Sequence, residues 1–450
     1  MQNKVERLTA LLITLALLAG HYFAAGASPA WQPESLGKIY YVSTTGNDSN
    51  PGTASAPFKS VARGVSVLGP GDTLILQPGI YYGQPLKVSQ SGTSAALIKV
   101  SGPGAILDMQ GQSTSGVTLT GSYIRVYGLN VRNSRNVCVD LRGDYLIVNR
   151  LSVHECWDNG INTGGNAHIR ILNSRVFRTV LMNSGRTMSS GWDSGIKVRL
   201  SRDVIIQGNR VFNNYGEGIA TRGVYVVVRG NVVFNNFSAN IYTNSEFATI
   251  DRNFVYCTPN SGFERNGKPA AGIALAEEYY PGWGARLRYA RVLNNIVAYC
   301  KNGVRYNGPE SGVIGGGLKY STIAYNTLYG TVEAPLGIEY ASAQAGNLIA
   351  DNIIWQANNR LAYIENGTGL TFKHNLWKVL PPIVARGPGD RIGNPGFAAG
   401  NNPGYTADAF RLGGGSPAVG AAANINVPKD YFSMLRGPLY DMGAAQYSTP

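Results

Sequence analysis

Short stretches in which apolar and polar residues alternate recur along most of this chain, as in VYVVVRG from residue 224 and ATIDRNFVYC from residue 248. Alternation rich in Val, Ile and Tyr predicts short strands with one buried face. Aligned on these runs, an Asn falls at one point of each unit: Asn149, Asn173, Asn209, Asn231, Asn253, Asn295, Asn326, Asn352 and Asn375. The intervals are 24, 36, 22, 22, 42, 31, 26 and 23 residues. A base unit near 22 with occasional insertions is the signature of a solenoid. The units are too short for a strand plus a helix, so several strands per turn are expected. The fold class read from this pattern is all-β, a parallel β-helix.

An Asn suits a tight bend between strands because it tolerates left-handed backbone. Its amide can also bond the next Asn, since successive coils lie about 4.8 Å apart. A second register consists of Gly-Ile and related pairs, from Gly160-Ile161 and Gly195-Ile196 to Gly337-Ile338. Their Ile residues point inward and the residue after each points outward. Both ends of a solenoid need covers. Phe58, Val61, Val65 and Leu68, at helical spacing within residues 56–69, predict a short amphipathic helix over the N-terminal end. The repeat breaks at about residue 386. The expected division is therefore a β-helix domain over 38–385, including its N-terminal cap, and an irregular capping segment over 386–450.

Composition narrows the class. Of 450 residues 57 are Gly, and only 14% are charged. Lys plus Arg (39) exceed Asp plus Glu (26), a net charge of +13 that suits an acidic partner. No basic tract or zinc-finger spacing points to nucleic acid. At the N-terminus Lys4 and Arg7 precede an apolar run from Leu8 to Ala19, and Ala25-Gly26-Ala27 has the small residues of a cleavage site. Residues 1–27 read as a signal peptide, making the mature chain a secreted or extracytoplasmic protein without a membrane span. A monomer is expected. Four cysteines, Cys138, Cys156, Cys257 and Cys300, contain no C-x-x-C pair, which argues against zinc. Cys257 and Cys300 hold similar places in successive units, as a disulfide or as stacked thiols.

The opening YYVSTTGNDSNPGTASAPFKSVARGVSVLGPGDTLILQPGIYY and the closing FRLGGGSPAVGAA and DMGAAQY resemble exported right-handed parallel β-helix (pectin-lyase-like) proteins that act on polysaccharides. The nearest enzymatic pattern is polysaccharide lyase family 9, whose members carry an acidic calcium cluster written roughly D-D-G-x-D and a base lysine in G-F-K-L. WDNGIN places Asp158, Asn159 and Asn162 at the cluster positions, and SGIKV places Lys197 at the base position. The resemblance implies Ca2+ as cofactor. Two of the three cluster positions are Asn here, and fewer charges weaken calcium affinity. Asp140 and Asp193 are the nearby carboxylates that could restore charge.

The outward column after the Gly-Ile pairs reads Asn162, Lys197, Ala220, Tyr242, Ala274, Arg305, Glu339. Two residues further on lie Arg199, Arg222, Asn244 and Asn307. Stacked, these form a strip on which Arg199, Asn240, Tyr242, Asn244, Glu278 and Arg305 are candidate substrate-binding residues for an acidic polysaccharide. Lys197, Arg222 and Glu217 are the candidate catalytic groups. Eliminative cleavage of a uronate polymer removes the C5 proton and expels the 4-linked sugar, which requires a base and a cation against the carboxylate. A lysine acts as base only where its surroundings favour the neutral amine, and Arg199 and Arg222 are the neighbours expected to do so. The alternative chemistry is glycoside hydrolysis by paired carboxylates, Glu217 with Glu278. Glu277 and Glu278 are adjacent, so only one of them can face the strip. His154 is a further potential proton donor, and a non-catalytic polysaccharide-binding or surface protein is the remaining class.

Overall fold

The computed structural model describes residues 37–187, 192–259, 261–278, 287–309, 315–339 and 343–448. The signal peptide read over residues 1–27 lies outside them. A typical coil contributes three strands, as in Val139–Leu141, Leu146–Asn149 and Ser152–Cys156. Each strand pairs in parallel with its equivalents in the coils before and after it. The result is a parallel β-helix with three faces. Two of them merge in a sheet of 22 strands, and the third is a sheet of 13. In two central coils the first and second faces are one continuous strand, Ser194–Gln207 and Glu217–Arg229, with a bulge between Arg199 and Ser201. Strand alternation sends Ile161, Ile196, Ile219, Ile241 and Ile273 into a dry interior, where all are fully buried.

The N-terminal end is closed by a helix, Val61–Ser66, which Ser60 caps by accepting from the Arg63 N–H. Its inner side buries Val61 and Val65, beside Phe58 and Leu68. The segment after residue 386 lies against the outer surface of the 13-stranded sheet. Phe397, Phe410, Leu412 and Met442 cluster there with Phe234, Tyr256, Tyr329 and Ile353.

The Asn ladder is real, but its register differs at the start. From Asn209 to Asn375 each amide nitrogen donates to the next Asn oxygen at 2.9–3.0 Å, and each backbone N–H meets the same oxygen. These side chains are buried, and they also donate to carbonyls of the preceding coil. In the two earlier coils the ladder position belongs to Leu151 and Ser174, as the matching backbone bonds from Arg175 and Arg210 show. Asn149 and Asn173 bond each other at the surface instead. The left-handed residue of the bend is the one before the ladder Asn, such as Gly208, Gly230, Arg252, Asn294 and Tyr325. The ladder Asn therefore serves by hydrogen bonding, which its buried position rewards, rather than by unusual backbone geometry.

A second ladder runs through the bend before the first face. Thr179 donates to Asn214, Asn214 to Asn236, and Asn236 to Asn240. It ends where the Asn240 amide meets the sulfurs of Cys257 and Cys300. Those two cysteines form a disulfide, as do Cys138 and Cys156.

The long intervals of the repeat have one spatial explanation. The extra residues at 180–193 and 258–270 precede first-face strands, and those at 278–287 and 310–317 follow them. Described residues of the two preceding insertions, Trp192, Arg265 and Lys268, thus stand beside the first face.

Candidate functional site

Pairing on the first face fixes which residues stack. Asp140, Asn162, Lys197, Ala220, Tyr242, Ala274, Arg305 and Gly337 are partners in successive coils. The last member is Gly337, not Glu339, because Leu336 rather than Ile338 opposes Val304. The expected column is otherwise present. Arg199 and Arg222 are partners in the second column.

Lys197, Arg199, Glu217, Arg222, Tyr242 and Glu278 line one recess together with Trp192. It opens into a groove of about 640 Å³ that runs past Tyr242 and Ala274 to Arg305 and Asn307. Trp192, Glu217, Tyr242 and Glu278 belong to both. The inserted segments form its walls. Arg265 of one lies over the Trp192 ring of the other at 4.3 Å, and Phe263 packs on Tyr215 at 5.0 Å.

Lys197 is tied down from two sides. Its Nζ donates to Asp193 Oδ1 at 2.7 Å and to the Trp192 carbonyl at 3.0 Å. Burial opposes ionisation of Asp193, yet the Lys197 charge and hydrogen bond, with bonds from Asp158 and Asn159, hold its carboxyl below the usual range. Asp158, beside it, is pushed up to about 6 by burial and by the Asp193 charge. Two carboxyls in contact cannot both ionise freely.

Glu217 is buried in the floor of the recess, 7% exposed. Burial first, and then the Glu278 charge, push its carboxyl up to about 8. It is a protonated acid at neutral pH. Ser194 Oγ donates to it across a long 3.4 Å. Glu278 approaches Arg222 at 3.8 Å. Glu277 turns the other way, accepting from the Gly317 N–H at 2.7 Å, the Leu287 N–H at 3.1 Å and the Tyr306 hydroxyl at 3.1 Å. It holds the ends of two inserted segments.

Other candidates fall elsewhere. Asn240 is fully buried inside its ladder, so it is not a substrate contact. Strand alternation misplaced it because Asn240 and Ile241 are buried in succession within the strand Ala239–Thr243. Asn244 is also fully buried, with its amide directed to the Glu278 carbonyl at 3.3 Å. Arg305 reaches the groove but is already matched by Glu333 at 3.3 Å and by Glu339. His154 lies on the third face, stacked on Phe177 at 4.8 Å and bonded to Asn130. It has no place in the groove, and burial pushes its ring down to about 4.

The calcium cluster does not assemble from these residues. Asn159 Oδ1 is taken by the Ser194 N–H at 2.7 Å, and its amide nitrogen faces Asp158 and Asp193. Asn162 directs its NH2 to Asp140, which also pairs with Arg142. Among the described residues no three His, Cys, Asp or Glu side chains converge to hold a metal. Calcium prefers six to eight oxygens with several carboxylates. The Asn-for-Asp exchanges leave a donor set that does not fit it.

Trp192 lies outside the strand columns that the sequence displays, whereas Ala220 and Ala274 stand in them only as small residues. Small and aromatic residues on a strand carry no chemical signal until a wall rises beside them.

Residues 40–253 match a family model described as the Pel9A-like, right handed beta helix region. Pectate lyase L of Dickeya dadantii (strain 3937) is 25% identical over 202 residues, covering 41% of this chain and 47% of the relative. Pectate lyase L of Dickeya chrysanthemi is 24% identical over the same shares. The chain thus spans about half the length of the curated relatives it matches. Among solved structures, pectate lyase Pel9A superposes with a TM-score of 0.57 at 18% identity, over 92% of this chain and 97% of that one. The PL6 family alginate lyase AlyGC gives 0.50 at 14% identity, over 79% and 53%. Likeness at such identities shows the fold alone, a right-handed parallel β-helix, and residues 40–253 are similar to that region of the Pel9A-like proteins.

Proposed function

We propose that this protein cleaves an acidic, uronate-containing polysaccharide by β-elimination. The observation that carries the reading is the meeting of Lys197, Arg222 and Glu217 in one recess of the first-face groove. The similarity to pectate lyases supports it. Lys197 removes the proton at C5 of the bound uronate. A neutral amine has two N–H bonds and one lone pair. Asp193 and the Trp192 carbonyl engage two N–H directions of the ammonium, so that loss of its third proton to solvent frees the lone pair for the substrate. Arg222 and Arg199 face the uronate carboxylate, as bidentate guanidinium groups do, and their charge stabilises the enolate-like transition state. Electrons of the C5–H bond become the C4–C5 double bond as the C4–O4 bond breaks. The departing oxygen takes a proton from Glu217, which burial keeps protonated.

The test is ultraviolet absorbance of the unsaturated product from pectate, alginate and glycosaminoglycans, with and without added calcium. Lys197→Ala should lower the rate about 10²–10⁴-fold, the usual worth of a positioned base. Product formation undiminished in that variant would remove Lys197 from the chemistry.

A second reading has its own support: a protonated Glu217 beside Glu278 is the pairing of acid and carboxylate that glycoside hydrolysis uses. New reducing ends without absorbance, lost in Glu278→Gln, would select it. Binding without either product would leave a carbohydrate-binding protein.

A further inference from the structure

Between the cationic recess and Arg305 the floor of the groove changes character. Ala220, Ala239, Tyr242, Ala274 and Ala276 form an apolar cluster of their own, separate from the interior core. Each lines the groove or its recess. Ala220, Tyr242 and Ala274 point outward on three successive coils, yet they are only 5%, 7% and 3% exposed because the walls shade them. With coils about 4.8 Å apart, the step from Lys197 to Arg305 is about 19 Å. An extended sugar chain along the helix axis therefore passes from cations, across an apolar shelf, to a charge-matched end. At that end Lys268 and Arg305 share Glu333, and Arg305 also pairs with Glu339.

Building on the lyase reading, we infer that the shelf selects an uncharged sugar next to the uronate, so that the substrate is a mixed polymer of uronate and neutral units. A carboxylate laid over Ala220 and Ala274 would lose water above an apolar floor, beside carboxylates that already match the neighbouring cations. Those are Asp193 for Lys197, Glu333 and Glu339 for Arg305, and Glu333 for Lys268, with Arg265 and Lys301 also lining the groove. That exchange costs free energy. A neutral ring, or a deoxy-methyl or acetyl group, would gain by covering the alanines and stacking on Tyr242. The alanines do the selecting, because Lys197 sits one coil below Ala220 and a chain bound at Lys197 meets the shelf next.

Binding and cleavage are measured separately. Lys197→Ala protein is titrated calorimetrically with oligosaccharides of equal length. Two probes alternate, galacturonate–rhamnose and glucuronate–N-acetylglucosamine; two are homo-oligomers, of galacturonate and of mannuronate. At least one alternating probe should bind about tenfold or more tightly than either homo-oligomer, the scale of one unpaired carboxylate on an apolar site. Homo-oligomers that bind as well or better, or no binding by any probe, would overturn the inference. The wild-type protein is then assayed for unsaturated product. Preferential binding without that product would sink the lyase reading and leave the inference intact.

Discussion

Lys197 Nζ lies 2.7 Å from Asp193 Oδ1, and the two groups are four residues apart on either side of the turn into the first face. Asp193 closes one of the inserted walls, whereas Lys197 opens the strand behind it. The wall thereby sets the direction of the lysine.

Removing this anchor should damage turnover more than affinity. Asp193→Ala is expected to lower kcat about 10–100-fold with little change in KM, because small misplacements of a reacting group have that scale of effect. Steady-state kinetics beside a melting curve checks it. An equal loss in a denatured fraction, with kcat per folded molecule unchanged, would assign Asp193 to stability alone.

Glu217 supplies a pH dependence of defined sign. Its folded value of about 8 lies above the ordinary glutamate value of about 4.3, so the folded state binds more protons than the unfolded one between these limits. Its contribution is fully present below about pH 4.3 and is lost as pH rises through about 8. Glu217→Gln removes this dependence. Its Tm relative to wild type should therefore rise from pH 5 to pH 8, and a flat difference would refute the assignment. In activity, the wild-type rate should fall above about pH 8 as the acid ionises.

The two Asn registers separate by mutation. Asn326→Ala strips bonds to Asn295, Asn352 and the Val292 carbonyl, all buried. A loss of about 2–4 kcal/mol is expected from the polar groups left without partners. Asn149→Ala touches one exposed bond and should change stability by less than about 0.5 kcal/mol. Urea unfolding of both variants gives the comparison; equal losses would contradict the shifted register.

The Cys257–Cys300 disulfide closes a sequence separation of 43 residues and meets the end of the second ladder. Replacing both by Ser should cost about 2–4 kcal/mol. Since the first of the two cysteines precedes a groove wall, substrate affinity should fall with it. Calorimetric melting and oligosaccharide titration read the two effects, and an unchanged melt would show that the link is dispensable.

The repeat was legible because periodic burial forces periodic residues. Inward Ile and Val, the Asn column from Asn209 onward and the helix-spaced Val61 and Val65 each follow from local rules that hold in every coil. Lys197 and Arg222 could be placed on a common face by strand alternation alone, whereas Glu217, two residues before the inward Ile219, could not. Asn240 and Glu339 also defeated it, because Asn240 and Ile241 are buried in succession and a two-residue slip moves the register ahead of Glu339. The tertiary structure alone decided what depends on contacts between coils and walls. Among these are the grip of Asp193 on Lys197, the neutralisation of Arg305 by two glutamates, and the burial that keeps Glu217 protonated. A sequence records which groups stack at a spacing of about 4.8 Å, but the charge each group carries depends on how far neighbouring segments exclude water from it.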